Sequence, residues 1–460
     1  MVKVRFAPSP TGHLHIGNAK IALLNYLFAR KQEGTFVLRI EDTDLERSDT
    51  SYEASILDDL TWLGITWDEG PMRQTERFAI YRAYAKALLD KGAAYKCFCS
   101  QDELEKAREA SLKKGEPPRY SGVCRNLPEE EALSLEQSGR PYVMRFKSPR
   151  KPIRFVDEIY HGEFSFPLNH VDDFILMKQG LTPSYNFAAT IDDMLMDITH
   201  VIRGSDHISN TPKQLMLFEA FGKTPPRYAH LSLLIGEDKK PLSKRHGATK
   251  VKDFRKMGIL PEALRNYLGT IGRSVNKEIM DMNELSETFS LASLSRTDSF
   301  FDLEKLYWFN KEYMKNIPLE TLLGELDLPP QYSERVTLLR ENTATLTEMR
   351  EYLDIFDKPA ISEEGALYLD RIAPSEDFIA SLRNFLTHND TSSFERIIDA
   401  LGGKTDLKKK DFFMVLRILF TGRKSGPPLK EIFQLIPKDI IMKRIDGYLT
   451  TASESHASRQ

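Results

Sequence analysis

The first residues that could do chemistry lie in the segment Arg5–Lys20. An apolar run is followed by a turn rich in Pro and Gly that carries His13 and His15, and then by the periodic apolar pattern of a helix. Gly12 and Gly17 let backbone approach a ligand closely, and a helix opening near Gly17 offers N–H groups and a positive dipole end to phosphate oxygens. The segment therefore predicts a strand, a turn and a helix that bind the phosphates of a nucleotide.

Two other nucleotide-binding motifs do not fit the chain. Gly12 and Gly17 have the spacing of a Walker loop, but Asn18-Ala19 stands where that loop needs Lys and Ser or Thr. No G-x-G-x-x-G occurs in the sequence, which argues against an NAD-type site.

The sequence Pro8-Ser-Pro-Thr-Gly-His-Leu-His-Ile-Gly-Asn-Ala19 resembles the HIGH signature of class I aminoacyl-tRNA synthetases in its bacterial glutamyl form. In that family this histidine and the backbone beside it hold the triphosphate of ATP. The resemblance therefore implies that His15, Gly17 and Asn18 bind ATP. Two histidines that merely satisfy a turn are the alternative, which the surrounding pattern disfavours.

A second phosphate-binding candidate is the basic loop Lys239-Lys-Pro-Leu-Ser-Lys-Arg-His-Gly-Ala248. It resembles the KMSKS loop of the same family, although Pro241 stands where that motif has its first lysine. The resemblance implies that Lys244 neutralises the departing pyrophosphate, with Ser243 and Arg245 in support. Alone, the segment would indicate a solvated basic turn.

An apolar strand ends in three carboxylates, Glu41, Asp42 and Asp44. The carboxyl ends of parallel strands are where α/β proteins bind ligands, and carboxylates there can hold an ammonium group. The resemblance implies that Glu41 receives the α-amino group of glutamate, with Asp42 and Asp44 as supporting groups or helix caps. An acidic run after a strand is often only a helix cap.

A free glutamate presents two carboxylates, for which the planar donors of arginine are natural partners. Arg5 lies on the first predicted strand, and Arg203 follows a later apolar run. The family's glutamate pocket, carried over to this chain, adds Tyr185 and backbone or hydroxyl groups at Ala7 and Ser9. We assign Arg5 to the side-chain carboxylate.

The only three cysteines, Cys97, Cys99 and Cys124, lie in one short region, which argues against a disulfide framework. Thiolates this close in sequence can build a four-coordinate zinc site, and inert core cysteines are the alternative. Some glutamyl enzymes have a C-x-C…Y-x-x-x-C zinc site in this part of the chain. The resemblance therefore implies a structural Zn²⁺ held by Cys97, Cys99, Tyr120 and Cys124.

A chain of 460 residues should contain several domains, since single cores stop growing at roughly 250–300 residues. Strand-like runs and amphipathic helices alternate first, then short β-type runs follow, and helical patterns fill the last third. We expect an α/β fold, with a HIGH-type Rossmann-like nucleotide-binding core, an α+β insertion and an α-helical anticodon-binding region. The expected domains are a catalytic domain (1–92 and 184–225), an inserted acceptor-end-binding domain (93–183), a stem-contact domain with the KMSKS-like loop (226–310) and the anticodon-binding domain (311–460).

Local patterns also predict individual elements. Strands are expected at Val2–Ala7 and Phe36–Ile40, and helices at the ranges Asn18–Lys31, Thr50–Leu63, Thr75–Lys91, Phe378–Leu386, Phe394–Leu401 and Glu431–Leu449. The polar residues Thr451 to Gln460 have no buried face and are expected to fray.

The resemblance implies ATP- and Mg²⁺-dependent activation of L-glutamate to glutamyl-adenylate and transfer to the 3′ end of tRNA(Glu), with tRNA(Gln) left open as a second acceptor. A glutaminyl enzyme would show Pro-Glu-Pro-Asn-Gly in the first signature and a β-barrel anticodon region. Short paralogues that modify a tRNA base lack the C-terminal module. A non-catalytic tRNA-binding paralogue would be favoured by loss of His15, Lys244 or Arg5, and all three are present.

Bulk properties fit these expectations. We expect a cytoplasmic monomer, because no basic and apolar leader is present and no window approaches the roughly 20 apolar residues that cross a membrane. The net charge of −3 does not exclude tRNA, since affinity for a polyanion depends on local clusters of lysine and arginine. Lys404 and Lys408–Lys410 are candidates for phosphate contacts.

Overall fold

The computed structural model describes residues 1–115, 119–167, 172–243, 245, 247–388, 394–403 and 405–457, with side chains as far as residue 451. The chain divides into two compact units. Unit 1 contains Met1–Phe254 and Leu264–Asp302, and unit 2 contains Arg255–Ala263 and Leu303–Gln460. None of the helices formed by the described residues has both the length and the apolar character needed to cross a bilayer. The four-domain division stays a prediction.

Three parallel strands alternate with three helices at the start of unit 1: β1 (Lys3–Phe6), α1 (Ile16–Lys31), β2 (Thr35–Ile40), α2 (Thr50–Trp62), β3 (Glu69–Arg73) and α3 (Phe78–Asp90). The predicted strands and the first two helices are confirmed. The third predicted helix begins later, because Thr75–Arg77 forms a 3₁₀ turn. Asp42 caps that turn, since its carboxylate accepts from the backbone N–H and the hydroxyl of Thr75 at 2.9 and 2.6 Å.

The insertion that follows consists of short strands and two helices: β4 (Ala94–Cys97), α4 (Gln101–Lys113), α5 (Glu129–Gln137), β5 (Val143–Phe146), β6 (Ile153–Val156), β7 (Glu163–Phe166) and β8 (Ile175–Met177). It contains an antiparallel sheet in the order β4-β5-β8 and an antiparallel β6-β7 pair. α4 begins with a reciprocal capping box formed by Ser100 and Glu103.

The elements after the insertion are α6 (Tyr185–Leu195), β9 (His200–Gly204), α7 (Thr211–Ala220), β10 (Arg227–Leu231), β11 (Leu234–Ile235), α8 (Val251–Lys256), α9 (Pro261–Thr270), α10 (Met282–Glu287) and β12 (Ser299–Phe300). β9 and β10 are parallel. β9 lies beside β1, because Thr199 donates its backbone N–H to the carbonyl of Lys3 at 2.9 Å. Phe155 of β6 packs with Val37, Val201 and Tyr228, so the insertion shares a core with these strands.

The remaining elements are helices: α11 (Leu303–Asn316), α12 (Leu319–Leu326), α13 (Ser333–Arg340), α14 (Leu346–Asp357), α15 (Glu363–Ile372), α16 (Glu376–His388), α17 (Phe394–Leu401), α18 (Lys409–Thr421), α19 (Leu429–Phe433) and α20 (Lys438–Ala457). The helical character predicted here is confirmed. The prediction of a single helix over Glu431–Leu449 is wrong, because α19 ends at Phe433 and α20 begins at Lys438. Pro437 lies between them and has no N–H to continue a helix. The backbone of α20 is helical to Ala457, and residues 458–460 lie outside the described residues. The fraying expected from Thr451 to Gln460 stays a prediction.

Candidate functional site

A cavity of about 450 Å³ opens at the carboxyl ends of β1, β2 and β9, the edge at which parallel sheets bind ligands. All six residues predicted to bind glutamate lie on its wall, together with Asn18: Arg5, Ala7, Ser9, Glu41, Tyr185 and Arg203. A larger cavity of about 1300 Å³ lies at the amino ends of the strands and is lined by none of the predicted site residues that the structure describes. The smaller cavity is therefore the candidate site.

A buried network of ion pairs holds Arg5 and Glu41. Arg5 donates from Nε to Asp193 Oδ1 at 3.1 Å, and Arg39 donates from Nη1 to the same oxygen at 2.7 Å. Arg39 also donates from Nη2 to Glu41 Oε1 at 3.0 Å. Burial raises the pKa of Glu41 although Arg39 and Arg5 oppose it, whereas for Asp193 the two arginines outweigh burial and lower the pKa. The network fixes Arg5 and Glu41 relative to each other.

Arg203, at the end of β9, is held by neutral acceptors. Its Nη1 donates to Gln214 Oε1 at 2.9 Å, its Nη2 to Thr211 Oγ1 at 2.7 Å and its Nε to His230 Nε2 at 3.2 Å. These contacts orient a guanidinium that is 5% exposed at the cavity wall. Arg203 can therefore present a fixed positive charge to a carboxylate.

Tyr185 begins α6 and contacts His207 across the cavity wall. Its hydroxyl lies 3.2 Å from Nδ1 of His207. Burial raises the pKa of Tyr185 to about 12 and lowers the pKa of His207, so both side chains are neutral near pH 7. A neutral phenol can donate its proton to a ligand oxygen.

His15 is the N-cap of α1, with extended backbone and a side chain that accepts from the N–H of Gly17 at 3.1 Å. Burial lowers the pKa of His15, partly opposed by the backbone of Leu242. The structure differs from the expectation of open N–H groups at this terminus, because the N–H of Gly17 is used by His15. The side chain of Asn18 lies on the cavity wall one residue further.

The two signature segments meet within unit 1. Ile16 donates its backbone N–H to the carbonyl of Thr249 at 2.9 Å, and Val251 donates to the carbonyl of Leu14 at 3.0 Å. The residues that follow the basic loop therefore run antiparallel to those that precede α1. The backbone on either side of His15 is therefore paired with the chain that leaves the basic loop.

The tip of the basic loop is described only in part. Lys244, predicted to neutralise pyrophosphate, lies outside the described residues. Ser243 follows Leu242, whose N–H donates to the carbonyl of Leu234 at 3.1 Å. Arg245 pairs with Asp238 at 3.0 Å, and its side chain is 54% exposed. Surface ion pairs contribute about 0–1 kcal/mol to stability. Arg245 can therefore leave Asp238 and bind a more highly charged anion such as a phosphate.

The predicted zinc ligands come together in the insertion. The three cysteine sulfurs lie within 4.8 Å of one another, and Cys99 and Cys124 are 3.6 Å apart. A tetrahedral site with Zn–S bonds of about 2.3 Å has sulfur–sulfur edges of about 3.8 Å. The Tyr120 hydroxyl lies 3.2 Å from the sulfur of Cys97 and 3.7 Å from that of Cys99. The donor set and its spacing fit a structural zinc ion.

Sequence reasoning missed several groups that hold the site. Arg39 stands inside an apolar strand, and Asp192 and Asp193 are the only charged residues of helix α6. Charged residues at such positions are fully buried only when paired, which is the signal that could have identified them. His230 had no comparable signal, because a histidine in a strand is often a satisfied core residue.

Comparison with known proteins adds two family matches. A family model described as tRNA synthetases class I (E and Q), catalytic domain, matches residues 1–308. A second, described as anticodon binding domain, matches residues 297–449.

Individual relatives match over nearly the whole chain. Glutamate–tRNA ligases of Carboxydothermus hydrogenoformans and Bacillus subtilis are 42% and 40% identical to it, covering 95% and 96% of this chain and 97% and 99% of the relatives. A crystal structure of a glutamate tRNA ligase from Elizabethkingia meningosepticum, in complex with its amino acid, matches with a TM-score of 0.82 and 31% identity over 98% of this chain and 99% of that one. The chain therefore belongs to the glutamate–tRNA ligase family of class I aminoacyl-tRNA synthetases.

Proposed function

We propose that this protein joins L-glutamate to tRNA(Glu) in two steps that consume ATP. The observation that carries the proposal is the cavity at the carboxyl ends of the strands, whose wall also includes Asp44, Arg47, Lys178 and Asp206. Its buried charges are Arg5, Arg203 and Glu41, and Tyr185 faces the same space. This arrangement matches the charges of a free glutamate, which has two carboxylates and one ammonium group. Family membership supports the same reaction.

We assign the pocket residues as follows. Glu41 accepts from the α-ammonium group, because its carboxylate is fixed by Arg39 and lies on the cavity wall. Arg5 contacts the side-chain carboxylate, and Arg203 and Tyr185 supply further donors to the carboxylates. Ala7 and Ser9 supply backbone or hydroxyl contacts along the segment that follows β1.

In the first step an oxygen of the α-carboxylate attacks the α-phosphorus of ATP, and the bond to pyrophosphate breaks. In the second, a terminal ribose hydroxyl of tRNA attacks the acyl carbon, and AMP leaves. Neither step needs a protein nucleophile, so positioning and charge supply the catalysis. Mg²⁺ carried with ATP neutralises phosphate charge.

The HIGH-type and KMSKS-type segments are assigned to ATP. His15, Gly17 and Asn18 at the start of α1 contact the triphosphate, and the neighbouring basic loop supplies Ser243, Lys244 and Arg245. The backbone bridges between the two segments support this assignment, because they bring the start of α1 beside the chain that leaves the loop.

We assign the cysteine cluster to a structural Zn²⁺ and the helical C-terminal region to the anticodon end of tRNA. Residues 93–183 are assigned to the acceptor end and residues 226–310 to the stem. We further propose that the protein acts as a monomer. We propose a cytoplasmic location, which the substrates tRNA, glutamate and ATP support.

The proposed reaction is tested by charging with radiolabelled glutamate, ATP and Mg²⁺ against separate tRNA(Glu) and tRNA(Gln) transcripts. We expect label on tRNA(Glu), and label on tRNA(Gln) as well if the anticodon region does not discriminate. Arg203→Gln, which keeps size and removes the charge, should raise KM for glutamate more than KM for ATP. Folded protein that labels neither tRNA would refute the proposal.

The zinc assignment has its own test. Purified wild type should contain about one zinc per chain by mass spectrometry of metals, and Cys97→Ser should lose most of it, because three thiolates bind zinc far better than two. Glutamate charging should persist in that variant if the metal is structural. Equal, near-zero zinc in both proteins would remove the assignment.

A further inference from the structure

His230 connects Arg203 to Asp157 of the insertion by two hydrogen bonds. Nε2 of His230 lies 3.2 Å from the Nε of Arg203, and Nδ1 lies 2.7 Å from Oδ2 of Asp157. His230 is on β10 and Asp157 directly follows β6, and both are fully buried. Arg203, His230 and Asp157 are therefore connected by hydrogen bonds from the cavity wall to the inserted segment.

The hydrogen-bond partners fix the tautomer of His230. An arginine Nε–H can only donate, so Nε2 of His230 must be the acceptor and the ring proton must lie on Nδ1. That proton is donated to the Asp157 carboxylate. Burial lowers the pKa of His230, although Asp157 opposes it, so the ring stays neutral. The hydroxyl of Thr211, 3.2 Å from Nε2, accepts from Arg203 and can donate its own proton to the ring.

Asp157 is itself held by backbone. Its Oδ1 accepts from the N–H groups of Ile159 and Tyr160 at 2.9 and 3.1 Å, and its Oδ2 accepts from the N–H of His230 at 3.1 Å. The neighbouring Glu158 donates its N–H to the carbonyl of Tyr228 at 2.9 Å. Asp157 is therefore a rigid acceptor whose position does not depend on a ligand.

The two buried arginines of the cavity, Arg5 and Arg203, differ in how their charge is compensated. Arg5 shares the Asp193 carboxylate with Arg39, whereas the acceptors of Arg203 are the neutral groups of Thr211, Gln214 and His230. Three of the five N–H groups of Arg203 are used in this way, which leaves two for a ligand. A carboxylate at that position gains the full charge of Arg203, because the protein supplies acceptors without neutralising it.

We infer that Asp157 and His230 are positioning residues for glutamate recognition. Asp157 holds His230 as the Nδ1–H tautomer. The unprotonated Nε2 accepts from Arg203 and so orients its guanidinium towards a substrate carboxylate. The inference rests on the proposed glutamate substrate. Asp157 belongs to the insertion and does not line the cavity, and it thereby has a function in amino-acid selection.

Two substitutions at one position test the inference. His230→Gln places an amide oxygen near the position of Nε2 and keeps an acceptor for Arg203. His230→Asn is shorter, so its amide stays near the position of Nδ1 and keeps a contact with Asp157 but loses the one with Arg203. Both variants remove the imidazole and create similar space, which makes each the control for the other.

We expect His230→Asn to raise the glutamate KM in tRNA charging by about ten-fold or more, because a hydrogen bond to a charged group is lost. His230→Gln should stay within about three-fold of wild type, and the KM for ATP should change little in either variant. The dissociation constant of L-glutamate, measured by titration calorimetry on the full chain, should follow the same order. Melting temperatures of both variants identify a loss of folding.

An unchanged glutamate KM and dissociation constant in His230→Asn would overturn the inference. So would equal impairment of both variants for glutamate and ATP, since that is the signature of a merely structural role. Wild type that binds glutamate but charges no tRNA would refute the proposed reaction alone, and the calorimetric order of the two variants would still decide the positioning function.

Discussion

At the scale of single residues, the pocket is organised by buried ion pairs between protein side chains. Arg5, Arg39, Glu41 and Asp193 are all nearly buried, and each has at least one ionic partner among the other three. Removing one partner of a buried pair is costly, because the other charge is left without compensation. The substrate therefore meets groups whose positions are already set, which limits the ordering cost of binding.

Glu41 should make glutamate recognition sensitive to pH. Its pKa is raised by burial, against Arg39 and Arg5, and only the ionised carboxylate attracts an ammonium group. A raised pKa means that the ionised form is lost at a higher pH than for an ordinary glutamate. We expect the KM for glutamate to rise as pH falls from 7 towards 5, with a smaller change in the KM for ATP, in steady-state charging assays.

Glu41→Gln should raise the glutamate KM at pH 7 by about ten-fold or more and flatten its pH dependence, because the titrating group is gone. Glu46→Gln is the matched control, since Glu46 is exposed, lies five residues further along the chain and is not on the cavity wall. A wild-type profile that is flat from pH 7 to 5 would contradict the assignment of Glu41.

The pocket residues fall into two groups. Some belong to local sequence motifs, and others are identified only by contacts between residues that are far apart in the sequence. Arg5 and Glu41 belong to signatures whose spacing is local, so the sequence predicts them. Asp193 binds Arg5 across 188 residues, and Asp157 binds His230 across 73. No local pattern contains such a contact, because it exists only after the strands have taken their order in the sheet.

At the scale of elements, periodicity identifies helices and strands but not their partners. The apolar spacing of α1 and α2 and the apolar runs of β1 and β2 were sufficient for their prediction. The order β4-β5-β8 was not predictable, because the strands that pair are separated by helices and by another hairpin. The break between α19 and α20 was missed although Pro437 signals it.

Arg444 connects the ends of two helices in unit 2 by hydrogen bonds. Its guanidinium donates to the carbonyls of Phe420, Ile355 and Lys358, near the ends of α18 and α14, and its side chain is 1% exposed. Helix ends present carbonyls that need donors, and a cation there also complements the dipole. Burial lowers the pKa of Arg444 to about 10, so it remains charged at pH 7.

Arg444→Met should lower the free energy of unfolding of unit 2 by about 3 kcal/mol or more, because buried carbonyls lose their donor. Lys443→Met is the control, since Lys443 forms an exposed pair with Asp439 that is worth about 0.3–0.5 kcal/mol. Calorimetric unfolding of the full chain measures both. Equal melting of the two variants would show that water or other donors satisfy these carbonyls.

At the scale of the whole molecule, an acidic chain must bind a polyanion. The net charge is −3, so long-range attraction does not bring tRNA to the surface as a whole, and local clusters must supply it. Lys408–Lys410 is a candidate for such a cluster, because all three residues are exposed and α18 begins at Lys409. The positive end of the helix dipole adds to the charge of the lysines.

Replacing Lys408, Lys409 and Lys410 by Gln should therefore raise the KM for tRNA and leave the KM for glutamate unchanged. Each phosphate contact releases counterions, so the slope of log KM for tRNA against log salt should become shallower by about 2 to 3 for three contacts. The control replaces three lysines of unit 2 that already pair with carboxylates: Lys358, Lys430 and Lys443. Both triple variants change the net charge equally, so an equal loss of tRNA affinity would assign the effect to total charge. A shallower slope in the first variant alone would place phosphate contacts at the start of α18.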